Sequence, residues 1–204
     1  MDLKSTYNKI AKDWERDHHV DTWWIEGTDK YLSFLASGAS ILDVGCGAGE
    51  KSKYLLNKGF KVTGVDFSEE MLAIAKEQAP SGTFMVCDIT QPLDLVETFD
   101  GVFAQAVLLH IPKKNIINVI RSITASLVSG GYFYLAVKET KPNSPDEAVL
   151  KENDYGYEYE RFFSYYSLDE LKRYIQDCGM ELVYENVTTS GRTNWIQVIA
   201  RKSL

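Results

Sequence analysis

ILDVGCGAG, residues 41–49, begins as a short apolar run and ends in glycine. The run carries one acid, Asp43, and then Gly45, Gly47 and Gly49 stand at every second position. Apolar residues in unbroken succession fit a strand buried on both faces. Glycine takes positive φ without strain and lets another group come close to the main chain. A buried strand that gives up its side chains at its end predicts a loop with a large ligand lying on the bare backbone. The free N–H groups at the start of the next helix would add hydrogen bonds there.

Outward from this stretch, strand and helix signals alternate. Residues 49–58 are periodic as a helix, and Gly59 stops them. FKVTGVD (60–66) is the next strand. Ser68 can cap a helix over 68–79, with Glu69 and Glu70 at its positive end and Pro80 closing it. TFMVCD (83–88) and FDGVFAQA (99–106) are strands, and Pro112 opens a helix over 113–128. YFYLAVK (132–138) is a further strand, and residues 139–166 read as irregular, polar and aromatic. Ser167 caps a helix over 167–178, and strands at about 180–189 and 193–201 meet at Ser190-Gly191. Helical periodicity also runs over residues 3–16 and 28–36.

Strand–helix alternation from residue 41 to 138 predicts a parallel sheet covered on both faces, and the closing hairpin must be antiparallel. The expected fold is α/β: a doubly wound, Rossmann-like, mostly parallel seven-stranded sheet with an antiparallel C-terminal strand and helices on both faces. In such sheets ligands bind beyond the carboxyl ends of the strands, near the switch point. A single domain over 1–204 is expected, with residues 1–38 as a helical cap and 139–166 as a segment covering the substrate.

The totals narrow the class. The chain has 204 residues, 45% hydrophobic and 25% charged, with a net charge of −7. That suits one globular core, and the absence of a basic stripe argues against nucleic acid as a partner. No apolar run is long enough for a membrane span, and MDLKSTYNKIAKDW lacks the core of a secretion signal, so a cytoplasmic place is expected. Cys46, Cys87 and Cys178 lie far apart, and with His18, His19 and His110 they form no metal spacing. Nothing in the sequence sets an oligomeric state.

The loop also discriminates between ligands. A dinucleotide fingerprint is G-x-G-x-x-G, whereas here Glu50 stands where its third glycine would fall. Asp43 would repel a pyrophosphate and attract a cationic amine, which favours a nucleoside with a positive group. Asp66 ends the next strand, where an acid can accept from ribose hydroxyls. Asp88 ends the third strand and can accept from an exocyclic amine such as that of adenine.

DVGCGAG, VTGVDFSEEML, CDI, FDGVFAQAVLLHIP and LVSGGYF together resemble the class I S-adenosylmethionine-dependent methyltransferases, in their small-molecule branch. The likeness covers residues 41–138 and extends to YNKIAKDW near the N-terminus. It implies S-adenosyl-L-methionine as cofactor and S-adenosyl-L-homocysteine as product. It implies that Asp43, Gly45, Cys46 and Gly47 line the amino-acid part, that Gly49 belongs to the same cofactor site, and that Asp66 holds the ribose. Phe67 and Met71 would pack near the adenine, and Asp88 would meet its amine, flanked by Cys87 and Ile89. Gln105 and Ala106 would lie under the methionine, and Tyr7 would fold over the cofactor or serve only as a core face of its helix.

Methyl transfer from a sulfonium is an in-line displacement in which orientation alone can supply up to roughly 7–11 kcal/mol. A dedicated catalytic residue is therefore dispensable. His110, just past the fourth strand, is the candidate base, because imidazole titrates near neutral pH. The acceptor is expected between Trp14, Trp23 and Trp24 and the ring-rich stretch Tyr155, Tyr157, Tyr159, Phe162, Phe163, Tyr165 and Tyr166, with Lys138 and Arg161 as candidate anion ligands. In the superfamily that the chain resembles, an Asn-Pro-Pro-Tyr-like tetrapeptide after the fourth strand goes with methylation of the amino nitrogens of bases or glutamine; here that position reads Gln105-Ala-Val-Leu108, so the resemblance does not favour that option. Two alternatives stay open: a nicotinamide-dependent oxidoreductase, and a non-catalytic module that only binds S-adenosylmethionine.

Overall fold

The computed structural model describes residues 2–18, 21–93, 95 and 97–204. Its centre is the strand read above, β1 (Ser40–Val44), whose Ile41, Leu42 and Val44 are fully buried. Ile41 joins one core cluster and Leu42 another, so successive side chains serve opposite faces of the sheet. β2 (Lys61–Asp66), β3 (Thr83–Val86), β4 (Phe99–Gln105) and β5 (Leu127–Lys138) extend it in parallel. β8 (Met180–Ser190) and β9 (Thr193–Lys202) complete the order β3-β2-β1-β4-β5-β9-β8. β9 pairs antiparallel with both neighbours, as the short turn at Gly191 requires.

Helices α2 (Ile25–Leu32) and α3 (Glu50–Asn57) cover one face through Tyr31, Leu32 and Leu55. α5 (Lys113–Ala125) and α6 (Leu168–Asp177) cover the other through Ile116, Ile120, Ile123, Leu171 and Ile175. The helix α4 (Glu69–Gln78) starts where Ser68 predicts, with its hydroxyl accepting from the Met71 amide at 3.1 Å. Ser167 forms a capping box with Glu170 at the start of α6.

Element boundaries and one whole segment differ from the sequence reading. The helix expected over 28–36 lies at Ile25–Leu32. α5 ends at Ala125 and β5 begins at Leu127, because Gly130 lets the strand bend rather than start after it. Residues 139–166 are not irregular: β6 (Glu147–Glu152) and β7 (Tyr159–Ser164) form an antiparallel pair. Tyr159, Arg161 and Phe163 alternate onto the buried side of β7. A charged residue in the middle of that apolar face hides the strand period from a hydropathy reading.

α1 (Leu3–His18) bridges α4 and β7. Tyr7, Ile10 and Ala11 pack with Met71 and Tyr159, and the Thr6 hydroxyl donates to the Glu160 carbonyl at 3.2 Å. The strand order reverses between β1 and β4, so the loops leaving those two strands open a crevice at their carboxyl ends.

Candidate functional site

A cavity of about 320 Å³ lies at this switch point. Gly45, Cys46, Gly47 and Ala48 form its floor, and Asp66, Phe67 and Met71 stand at one end. Gln105, Ala106 and His110 line the middle. Tyr7 and Trp14 of α1, Lys138, Arg161 and Phe163, and Trp23 with Trp195 close the other side.

The three glycines have different reasons. A Cβ on Gly45 would sit 2.3 Å from Val107 Cγ2, and one on Gly49 would sit 2.8 Å from the Ala75 Cα. Those two let the loop pack against the protein itself. Gly47, at φ 53°, would meet nothing within 4 Å, so it is the glycine that bares backbone to open space. Gly49 is not part of the cavity lining; it packs on α4.

Asp66 ties the two strand ends together. Its carboxylate accepts from the Gly47 amide through Oδ2 and from the Ser68 amide through Oδ1, each at 2.9 Å. Burial pushes its pKa up to about 6, against those backbone bonds. Each oxygen keeps a lone pair for a donor in the cavity. Gln105 is 8% exposed, and neither its Oε1 nor its Nε2 has a partner among the described residues. A buried amide in that state costs stability unless a ligand completes it.

Two of the three expected acids stand elsewhere. Asp43 does not line the cavity: it lies behind the loop, 2% exposed, accepting from the Ser52 hydroxyl at 2.5 Å. Burial raises its pKa to about 7. Asp88 is exposed and turned into its own loop, accepting from the Thr90 amide at 2.9 Å and the Thr90 hydroxyl at 2.7 Å. β3 ends two residues earlier, and a free turn lets the carboxylate cap locally. Ile89 is buried in the main core, Cys87 is half-buried, and neither lines the cavity.

His110 follows a single turn, Leu108–His110, after β4. Its Nδ1 lies 2.7 Å from the Phe162 carbonyl, which can only accept, so Nδ1 carries the proton. Nε2 then accepts from the Tyr7 hydroxyl at 2.7 Å. Burial pushes its pKa down to about 3, so the ring is neutral at working pH. The candidate base thus has both nitrogens engaged, Nε2 by the Tyr7 hydroxyl and Nδ1 by the Phe162 carbonyl.

Of the aromatic set, Trp14, Trp23 and Phe163 line the cavity, while Trp24 and Tyr166 are core. Tyr155, Tyr157, Tyr159, Phe162 and Tyr165 lie outside the lining. Trp195, which the sequence reading passed over, stacks on Trp23 with ring centroids 4.0 Å apart. Its only signal was a bulky ring at the start of a strand bordering the crevice. Among the described residues no group of three or more His, Cys, Asp or Glu is placed to hold a metal ion, and no helix is long and apolar enough to cross a membrane. His19 lies outside the described residues.

A methyltransferase-domain family model matches residues 41–131. The tRNA U34 carboxymethyltransferase of Vibrio atlanticus is 32% identical over 197 residues, covering 88% of this chain and 59% of that protein. A putative methyltransferase of Bacillus subtilis is 39% identical over 90 residues, covering 43% of this chain and 34% of its own length. The chain thus spans less than two thirds of these curated relatives. Among solved structures, an S-adenosylmethionine-dependent methyltransferase of Methanosarcina mazei is 25% identical with a TM-score of 0.74, covering 84% of this chain and 96% of that one. The 1,6-didemethyltoxoflavin-N1-methyltransferase of Burkholderia thailandensis, solved with S-adenosylhomocysteine, shares the fold over 99% of this chain and 88% of its own, at 20% identity and a TM-score of 0.79.

Proposed function

Since this chain belongs to the class I S-adenosylmethionine-dependent methyltransferases, we propose that it transfers a methyl group from S-adenosylmethionine to a small-molecule acceptor. The observation that carries this is Gln105, buried at the end of β4 with both polar atoms unpaired, facing a cavity floored by Gly45–Ala48. A ligand with donors and acceptors on an amino-acid-like moiety completes that amide, and Gly47 leaves its main chain clear. When bound, the cofactor supplies a methyl group already activated on a positive sulfur.

The protein's part is to hold, orient and exclude water. Asp66 has lone pairs free for two vicinal hydroxyls, and Phe67 and Met71 offer an apolar bed beside it. Asp43 supplies negative charge from behind the loop, and a cationic ligand favours its ionised form. Asp88 would reach an adenine amine only by releasing Thr90, and Cys87 and Ile89 support that turn. Tyr7 and Trp14 of α1 and Arg161 and Phe163 of β7 line the side of the cavity where the acceptor would lie, which supports a covering role for residues 1–38 and 139–166. His110 accepts from the Tyr7 hydroxyl at Nε2 and fixes its orientation, so it works as a positioning partner of Tyr7, and with its pKa at about 3 the ring leaves the acceptor's proton to depart to solvent.

Family membership displaces the nicotinamide alternative. The argument against nucleic acid rests on the net charge and the lack of a basic stripe in the sequence, and a relative named for tRNA is 32% identical over 197 residues, so tRNA belongs in the acceptor panel. Calorimetric titration with S-adenosylhomocysteine and NADH, followed by turnover on phenols, amines, thiols, carboxylates and tRNA, tests the reading. Binding of S-adenosylhomocysteine with methylation of a small acceptor is expected. Binding with no methylated acceptor leaves a binding module, and no binding removes the reading.

A further inference from the structure

Three cations line the cavity, and two of them are paired. Lys51 is matched with Glu50, and Arg161 forms a two-pronged ion pair with Glu152 at 2.6 Å and 2.5 Å. The third, Lys138, has no hydrogen bond or ion pair among the described residues. Its ammonium rests 4.0 Å from the Phe163 ring centroid and 5.8 Å from that of Trp195. The neighbouring Glu139 carboxylate is turned away to accept from Asn194 at 2.8 Å.

Its place in the sheet separates it from the cofactor end. Lys138 ends β5, and the order β2-β1-β4-β5 puts it three strand steps from Asp66, roughly 14 Å. It lies one strand beyond Gln105, opposite Trp195 in register. The rings beside it are flat and face the cavity, and Arg161 adds positive charge next to the same Phe163, 5.1 Å from its centroid.

We propose that Lys138 is the specificity anchor for a flat acceptor bearing an anionic group, a carboxylate or a phosphate, which pairs with its ammonium at the ring-lined end of the cavity. This rests on the methyltransferase reading and names the acceptor class within it. Burial and the nearby Arg161 lower the Lys138 pKa to about 8, which leaves it charged at neutral pH and weakly solvated, the state in which an incoming anion gains most. The opposite possibility, an aromatic box for a cationic acceptor, conflicts with an ammonium and a guanidinium already lying against the same ring.

The test is calorimetry on the protein saturated with S-adenosylhomocysteine. The probes are 4-hydroxybenzoate, phenyl phosphate, the neutral methyl 4-hydroxybenzoate and 4-hydroxyphenyltrimethylammonium. An anionic probe is expected to bind at least about tenfold more tightly than the neutral and cationic ones. Lys138→Met should erase that preference, and Lys138→Arg should keep most of it. The benzoate and phosphate arms separate the two sources of charge. Equal or tighter binding of the neutral or cationic probe, no binding of either anion, or an unchanged preference in Lys138→Met overturns the proposal. A loss of S-adenosylhomocysteine affinity in Lys138→Met overturns it differently, by assigning the lysine to the cofactor's own carboxylate. Failure of the wild-type protein to bind S-adenosylhomocysteine would instead remove the methyltransferase reading.

Discussion

The Gly45–Ala48 end of the cavity and the Lys138–Trp195 end flank the tip of β4, yet they are built from different materials. The first is main chain: amides, one carboxylate that two amides already hold, and glycines whose lack of side chains is the useful property. The second is side chain: rings, a guanidinium and an ammonium brought in from α1, β5, β7 and β9. Backbone surfaces suit a ligand that never changes, because few substitutions can alter them. Side-chain surfaces can be exchanged one residue at a time, which suits the end proposed above for the acceptor.

Substitutions can break this division, and the loop should show the largest effect. Gly49→Val places a Cβ 2.8 Å from Ala75 at a φ of 86°, so it should cost about 4 kcal/mol or more and lower the urea midpoint sharply. Gly47→Ala meets open space and should cost only about 1–2 kcal/mol of stability, for its positive φ, while weakening S-adenosylhomocysteine binding. Equal destabilisation by the two would erase the distinction between packing glycines and the ligand-facing one.

Arg161→Met tests the other end. It leaves the Glu152 carboxylate largely buried without its partner, so a loss of about 3 kcal/mol is expected, with recovery when Glu152→Leu is added. Additive losses in a double-mutant cycle would show that the pair is not coupled.

Asp66→Ala should weaken S-adenosylhomocysteine binding about a hundredfold, roughly 2.7 kcal/mol, because hydroxyl donors lose a charged acceptor. The same group sets a pH dependence. Burial raises the Asp66 pKa to about 6 and that of Asp43 to about 7, so affinity should be level above about pH 7 and fall as pH drops through both values, by up to about tenfold per unit for each group. Asp66→Asn should remove the fall near 6 and leave the shallower one near 7 that belongs to Asp43.

The smallest effect sharpens the boundary. Trp195→Ala should leave S-adenosylhomocysteine affinity within about threefold and lower kcat/KM for the acceptor about tenfold, through lost ring packing. A loss of cofactor affinity as large as the loss of turnover would move Trp195 to the cofactor side.

Legibility followed the same division. The turn at Gly45–Gly49, the caps at Ser68 and Ser167, and the strand periods were readable because each acts over a few neighbouring residues. Asp43, Asp66 and Asp88 looked alike in sequence, each an acid at or just past a strand end. Only Asp66 reaches the cavity, because one faces Ser52 beneath the loop and another is captured by Thr90. β7 stayed hidden because Arg161 occupies an inward position, where Glu152 on the partner strand neutralises it and the rings of Trp14 and Phe163 cover it.

The order of strands and helices, the glycine turn and the nucleoside-type ligand class were set by the sequence itself, since periodicity, capping and backbone freedom are local properties. Tertiary structure alone decided which carboxylate reaches the cavity, that the His110 ring is held between the Tyr7 hydroxyl and the Phe162 carbonyl, and that Lys138, unpaired among the described residues, stands beside Trp195 and Phe163. Those outcomes depend on burial and on distances between residues far apart in the chain, and no local pattern encodes either.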